Sequence, residues 1–186
     1  MLIIMTMLTA VTAMTMRTNE EGKFSTTGTP AEVISSWKKL NFSWRTTTEY
    51  DKWEKEKGPE NCMLAGIKVD SRGNVYVSVP RWRTGVPSTM NRVNFETGLL
   101  EPFPSWELNS VGVVGGGGCE NSVEDDEKLS SVLGFEIDPE DRMWILDQGK
   151  IGGVKAKPGS IKLVIWDLKK NKSVLVHKFS EKEAPL

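Results

Sequence analysis

Apolar and polar residues alternate along Gly66-Ile67-Lys68-Val69 and again along Val75-Tyr76-Val77-Ser78-Val79, with the polar run Asp70-Ser71-Arg72-Gly73-Asn74 between them. Period-two alternation on both sides of a turn rich in Asp, Gly and Asn predicts a β-hairpin, because successive side chains of a strand point to opposite faces. The pattern returns without a gap, displaced by 68 residues: Gly134-Phe135-Glu136-Ile137-Asp138, then Pro139-Glu140-Asp141, then Arg142-Met143-Trp144-Ile145-Leu146-Asp147. β-Branched and aromatic residues dominate the second strand of each copy, as suits a pleated, half-buried surface. A further hairpin follows each one. It runs Met90–Phe95, Glu96-Thr97-Gly98, Leu99–Phe103 in the first copy, and Ile161–Leu168, Lys169–Lys172, Ser173–Phe179 in the second. Thr97-Gly98 and Asn171 fall at the tips, where residues tolerant of hairpin-turn geometry are needed.

Two hairpins make one four-stranded antiparallel sheet, and such a sheet repeated at a long fixed period is the sequence signature of a β-propeller. The predicted fold is all-β: a partial propeller of about two blades plus flanking segments. A β-sandwich also alternates and turns at short intervals, but it does not repeat a hairpin in register at this spacing. So few copies cannot close a ring. An open ring leaves strand edges and apolar sheet faces uncovered, which favours self-association if the chain is really this short.

Composition narrows the function more than the fold. The 186 residues are 38% hydrophobic, enough to bury one sizeable core. A net charge of −1 leaves no basic footprint for nucleic acid. Seven Trp against two Tyr suggest indole packing between sheets. Gly115-Gly116-Gly117-Gly118 lacks the Lys-Ser/Thr of a phosphate loop and runs into Cys119-Glu120-Asn121, so it is expected to be a connector.

Leu2–Met14 is uncharged, largely apolar and the length of a secretory core. Val11-Thr12-Ala13 offers a small-residue cleavage site, and polar Arg17-Thr18-Asn19-Glu20-Glu21 follows. The stretch is too short and too rich in Thr to span a bilayer, which takes ~20 apolar residues. It lacks the basic start of a usual leader, so a misplaced start or an irregular N-terminus are the alternatives. The expected organisation is a signal peptide at 1–16, a polar segment at 17–36 and a β domain at 37–186, in a secreted, extracellular protein that is not a membrane protein.

Candidate chemistry is sparse. Cys62 and Cys119 each precede a first hairpin and are disulfide candidates, with each other or with cysteines elsewhere. No second Cys or His lies at ligand spacing, and His177 is the lone histidine, so no metal or cofactor is expected. Glu124-Asp125-Asp126-Glu127 lacks the spaced Asp/Asn and Gly of a calcium loop and is expected to be solvated. Asn41-Phe42-Ser43 and Asn171-Lys172-Ser173 are glycosylation candidates at Asn41 and Asn171. The sharpest local motif is Val79-Pro80-Arg81-Trp82-Arg83-Thr84-Gly85-Val86-Pro87-Ser88-Thr89. Its prolines impose an extended loop, from which Arg81 and Trp82 either meet a ligand or simply order a connector, with Arg paired to a nearby carboxylate.

That motif resembles a hallmark of the Yellow/major royal jelly protein family, and the surrounding landmarks keep the family's order. They are Trp37, Leu40-Asn41-Phe42 and Pro59-Glu60-Asn61 upstream. Downstream come Leu99-Leu100-Glu101-Pro102-Phe103-Pro104-Ser105-Trp106, Leu129-Ser130-Ser131-Val132, Arg142-Met143-Trp144-Ile145-Leu146-Asp147-Gln148-Gly149 and Leu163-Val164-Ile165-Trp166-Asp167-Leu168. The resemblance covers about Trp37 to Phe179 and corresponds to the N-terminal part of the family's longer chain. It departs at Ala156-Lys157, where the family often has a cysteine, at Gly134 and at Gln148. The resemblance implies a six-bladed propeller, secreted and often glycosylated. It also implies two function classes: a non-catalytic protein that binds a small amine or aromatic ligand or serves a structural role, or an isomerase acting on a catechol-derived, dopachrome-like product. No His–carboxylate pair or nucleophile motif supports catalysis. The expected ligand contacts are Arg81 to an anionic or carbonyl oxygen, Trp82 by stacking, and Asp147 to an amine. They sit just after or at the end of the equivalent second strands.

Overall fold

The structure, a computed structural model, describes residues 5–8, 16–18, 24–26, 33–110, 126–156 and 159–185, the first three stretches as backbone only. It divides into two compact units, Met1–Lys38 and Lys39–Leu186. In the first, β1 (Met5–Leu8), β2 (Met16–Thr18), β3 (Phe24–Thr26) and β4 (Val33–Trp37) form two antiparallel pairs, β1 with β4 and β2 with β3. Met5–Leu8 lies inside the stretch expected to be a leader, and here it pairs antiparallel with Val33–Trp37, with one register shift between Met7 and Leu8.

The second unit opens with α1 (Thr47–Lys55) and α2 (Gly58–Asn61). Thr46 caps α1, its Oγ1 accepting the Glu49 N–H at 3.2 Å. Trp53 on α1 sits directly over Gly58, and a Cβ at Gly58 would fall 2.0 Å from the indole Nε1. Phe42, Trp44, Tyr50, Trp53 and Trp106 gather around this helix with ring centroids 5.0 to 6.5 Å apart.

Two antiparallel meanders follow, as the repeat predicts. Sheet one runs β5 (Ile67–Val69), β6 (Val75–Ser78), β7 (Met90–Val93), β8 (Leu100–Pro102) in spatial order. Sheet two runs β9 (Val132–Ile137), β10 (Arg142–Asp147), β11 (Lys162–Asp167), β12 (Lys172–Lys178). Residues 41–43 cover the outer edge of β8 through the bonds Leu100 N to Asn41 O and Ser43 N to Leu100 O, both 2.9 Å.

The repeat extends to individual hydrogen bonds. Asp70 Oδ1 accepts the N–H groups of Arg72 and Asn74, and Asp138 Oδ1 accepts those of Glu140 and Arg142. Asp70 Oδ2 takes the side chains of Asn74 and Tyr76, and Asp138 Oδ2 takes those of Arg142 and Trp144. Each aspartate closes its turn with its own side chain, an Asx-type device. Gly73 and Asp141 occupy the same turn position and both have left-handed backbone, φ 85° and 61°. A non-glycine there costs roughly 1–2 kcal/mol. Asp141 carries it while its carboxylate accepts both the N–H and the hydroxyl of Ser71, tying one turn to the other.

The sheets share one core. Tyr76 and Met90 of sheet one meet Val132, Phe135, Met143, Ile145, Val164 and Trp166 of sheet two, all at most 8% exposed. The distribution of tryptophan corrects the sequence expectation. Only Trp166 packs between the sheets, while Trp44, Trp53 and Trp106 serve the α1 cluster and Trp82 and Trp144 are exposed. Sheet one is buried on both faces along β6. The second face of sheet two carries the cross-strand rows Trp144–Ile165–Leu175 and Leu146–Leu163–His177, with Trp144, Leu146 and Leu175 exposed.

Candidate functional site

The hallmark loop leaves β6 and returns at β7, closed at its base by the Val79 N–H donating to Thr89 O at 2.8 Å. Pro80 and Pro87 flank its bend at Trp82–Gly85, where Gly85 supplies a φ of 85°, and three neighbours grip it from outside. Trp53 Nε1 donates to Gly85 O at 2.8 Å, Asn61 Nδ2 to Thr84 O at 2.9 Å, and the Gly152 N–H to Arg81 O at 2.8 Å.

Arg81 is 2% exposed. Its guanidinium has five N–H donors, and all five end on main-chain carbonyls. Nε donates to Val86 O at 2.9 Å, Nη1 to Leu129 O at 2.9 Å and Ser130 O at 2.6 Å, and Nη2 to Pro87 O at 2.9 Å and to Asn109 O. Burial pulls its pKa down to about 10, against the opposing pull of Asp147, so it stays cationic at neutral pH. In this arrangement the guanidinium has no donor left over for an incoming anion.

Asp147 is fully buried at the end of β10, where its carboxylate reads the other side of the same peptides. Oδ2 accepts the Ser130 N–H at 2.6 Å, and Oδ1 accepts the N–H groups of Ser131 at 2.8 Å and Gly149 at 2.9 Å. Lys162, directly across the β10–β11 ladder, brings its Nζ within 3.7 Å of Oδ2 and donates to Lys128 O. Burial lowers the Lys162 pKa, opposed by Asp147. Residues 129–131 are therefore held by their carbonyls from Arg81 and by their N–H groups from Asp147. Charge-assisted bonds to main chain of this kind are the strong class.

Three more residues complete the knot. Asn109 Oδ1 accepts from Thr89 N and Met90 N, and its Nδ2 donates to Phe103 O and Ser105 O. Thr89 Oγ1 accepts the Val132 N–H at 2.7 Å, the first residue of β9, and Ser131 Oγ accepts the Arg81 N–H at 2.9 Å. Asn109 and Ser131 carry no local pattern that singles them out, since Oδ1 of Asn109 meets Thr89 and Met90 across 20 and 19 residues and Ser131 meets Arg81 and Asp147 across 50 and 16. Lys162 had a signal: a lone charge opening an apolar strand, in the register position opposite Asp147.

The structure thus brings Arg81 and Asp147 into one buried network and leaves Trp82, 46% exposed, as the outward-facing member of the three. Cys62 is a buried free thiol donating to Gly58 O at 3.4 Å, its pKa pushed up to about 12 by burial. Cys119, the Gly115–Gly118 run, Glu124 and Asp125 lie outside the described residues. Of the acidic run, Asp126 pairs with Lys178 and Glu127 with Ser173. Among the described residues no three His, Cys, Asp or Glu side chains are placed to hold a metal ion. His177 is exposed on β12, the edge of its sheet, 3.6 Å from Glu183. Half-buried Asn41 uses Oδ1 to accept from Phe42 N and Trp44 Nε1, whereas Asn171 is exposed at the β11–β12 turn with φ 49°. No helix among the described residues is long and apolar enough to cross a membrane.

Comparison with known proteins converges on one lineage. The family profile described as Major royal jelly protein matches residues 130–185. Protein yellow of Drosophila melanogaster is 30% identical over 125 residues, covering 63% of this chain and 21% of that protein. Protein yellow of Drosophila pseudoobscura pseudoobscura is 30% identical over 146 residues, covering 73% and 24%. A Drosophila melanogaster protein named Dopaminechrome tautomerase is 27% identical over 154 residues, covering 77% of this chain and 31% of its own. The aligned region is about a fifth to a third of the length of these relatives. Those matches, together with the two repeated four-stranded sheets and the hallmark loop between β6 and β7, lead to one assignment: the chain belongs to the Yellow/major royal jelly protein family.

Proposed function

We propose that this chain is part of a secreted, non-catalytic protein that binds a small amine or aromatic ligand or serves a structural role, with Trp82 as the ligand contact. The observation that carries this reading is the contrast among the three candidate residues. Arg81 and Asp147 have their hydrogen-bonding capacity taken up by main chain, while the Trp82 indole stands out from a loop gripped on several sides. A rigid, exposed indole offers a planar face for stacking an aromatic ring or receiving a cation. Arg81 and Asp147 enter as positioning residues that keep the loop in one shape. The test is calorimetric titration of the whole protein with dopamine and, separately, with 4-methylcatechol, which lacks the amine. Trp82→Ala is expected to weaken binding at least tenfold with no change in Tm. Equal binding by the variant, or none by the parent, would overturn Trp82 as the contact. Secretion is tested by the N-terminal residue of protein recovered from the medium.

A second reading, favoured by the similarity to the relative named Dopaminechrome tautomerase, is isomerisation of a catechol-derived, dopachrome-like product. Decay of the coloured aminochrome is followed with and without the protein. Decay at the buffer rate removes this reading, and acceleration lost in Trp82→Ala supports it.

A further inference from the structure

A cleft of about 320 Å³ lies between β6–β8 of sheet one and the β11–β12 turn of sheet two. That volume is at the low end of small-molecule sites, which span ~300–1,000 Å³. Tyr76, Arg92 and Glu101 form one cross-strand row on its wall, with Arg92 forked onto Glu101 by Nε at 3.0 Å and Nη2 at 2.6 Å. Tyr76 and Phe103, with ring centroids 5.0 Å apart, supply aromatic surface, and Arg72 lines another part of the wall. Both arginines already face carboxylates, Arg92 to Glu101 and Arg72 to Asp70 at 3.2 Å, so the lining is polar without strong net charge. Aromatic faces beside planar, bidentate polar groups suit a neutral polyol better than an ion.

The occupant is suggested by another residue on the cleft, Asn171, the acceptor of the sequon Asn171-Lys172-Ser173. Its Oδ1 accepts the Trp166 Nε1–H at 3.2 Å, which fixes the amide's orientation and leaves its Nδ2 as the free end of an exposed turn residue. We propose that Asn171 is N-glycosylated and that the first sugar of this glycan seats in the cleft walled by Tyr76, Phe103, Arg72, Arg92 and Glu101. In the linking step the Asn171 Nδ2 forms a bond to the anomeric carbon of an N-acetylglucosamine carried on a lipid diphosphate. The amide gives up one proton, and the diphosphate departs with the electron pair of the broken C–O bond. The seated sugar then bridges sheet one and the β11–β12 turn of sheet two.

This rests on the secretory reading, and the test separates the two. The chain is expressed in insect cells once behind its own N-terminus and once behind a host leader, and intact mass is taken with and without glycosidase. With the host leader, Asn171→Gln is expected to lose one glycan mass. An unchanged mass overturns the site. Failure of secretion confined to the chain's own N-terminus counts against the secretory reading alone. For the seating, native release by glycosidase is timed in the parent and in Arg92→Ala and Glu101→Ala, with near-ultraviolet circular dichroism confirming the fold. Release at least fivefold faster in both variants supports the cleft. Equal rates in folded variants overturn it, and if neither folds, Phe103→Leu supplies the same comparison.

Discussion

Replacing Arg81 by Met keeps the length and apolar stem of the side chain and removes all five donors. Five buried carbonyls, those of Val86, Pro87, Asn109, Leu129 and Ser130, then lose their partner. Each buried group left unsatisfied costs roughly 1–3 kcal/mol. The gross loss is thus roughly 5–15 kcal/mol, comparable with the ~5–15 kcal/mol that hold a whole domain together. Two effects reduce it. Burying the guanidinium is itself costly, as its lowered pKa records, and water entering the vacated space satisfies some carbonyls. The low end, about 5 kcal/mol, is expected to be realised. Arg81→Lys retains the charge but has three donors, so at least two carbonyls go unpaired and the loss is about 2–6 kcal/mol. Urea unfolding followed by tryptophan fluorescence measures both. With a slope near ~2 kcal/mol per molar, the Lys variant shifts the midpoint by about 1–3 M and the Met variant leaves little cooperative transition. Unfolding of Arg81→Met within about 1 kcal/mol of the parent would refute the argument and return Arg81 to the ligand role considered from sequence.

Gly58→Ala puts a methyl 2.0 Å from Trp53 Nε1 and drives the indole off Gly85 O, with an expected loss of about 1–3 kcal/mol and a red-shifted tryptophan emission. On the acid side, burial alone would raise the Asp138 pKa. The bonds from Trp144 Nε1, the Arg142 N–H and the Arg142 guanidinium outweigh it and hold the carboxyl down to about 2 from an ordinary 3.8. Its folded pKa is depressed, so its stabilisation is present above pH 4 and lost as the pH falls toward 2. An acid titration of Asp138→Asn should lack that part of the transition. On the alkaline side, burial raises the Cys62 thiol from 9 to about 12, so its contribution is present below pH 9 and fades as the pH climbs toward 12. Cys62→Ala should flatten the loss of stability between pH 9 and 11, and in the parent the native thiol should react with a disulfide reagent far more slowly than the unfolded one.

The sequence by itself determined what is local. Asp70 and Asp138 close their turns with side chains a few residues away, so the two hairpins and their displacement of 68 residues were visible as pattern, and the strands that follow were legible to within a residue or two. Helix α1 falls outside the all-β expectation; it is held in place by tertiary contacts, Trp53 packing on Gly58 and donating to Gly85 O. The tertiary structure alone decided which polar groups are consumed. Arg81 finds Leu129 and Ser130 some 48 residues on, Asn109 finds Thr89 across 20, and Asp147 grips residues 130 and 131 from the far end of the next hairpin. In the chain, Arg81, Trp82 and Asp147 look alike as chemistry awaiting a ligand. Burial divides them: a charge withdrawn from water must find its partners within the protein, and in this fold those partners are the main chain of the sheet junction, which leaves Trp82 facing outward.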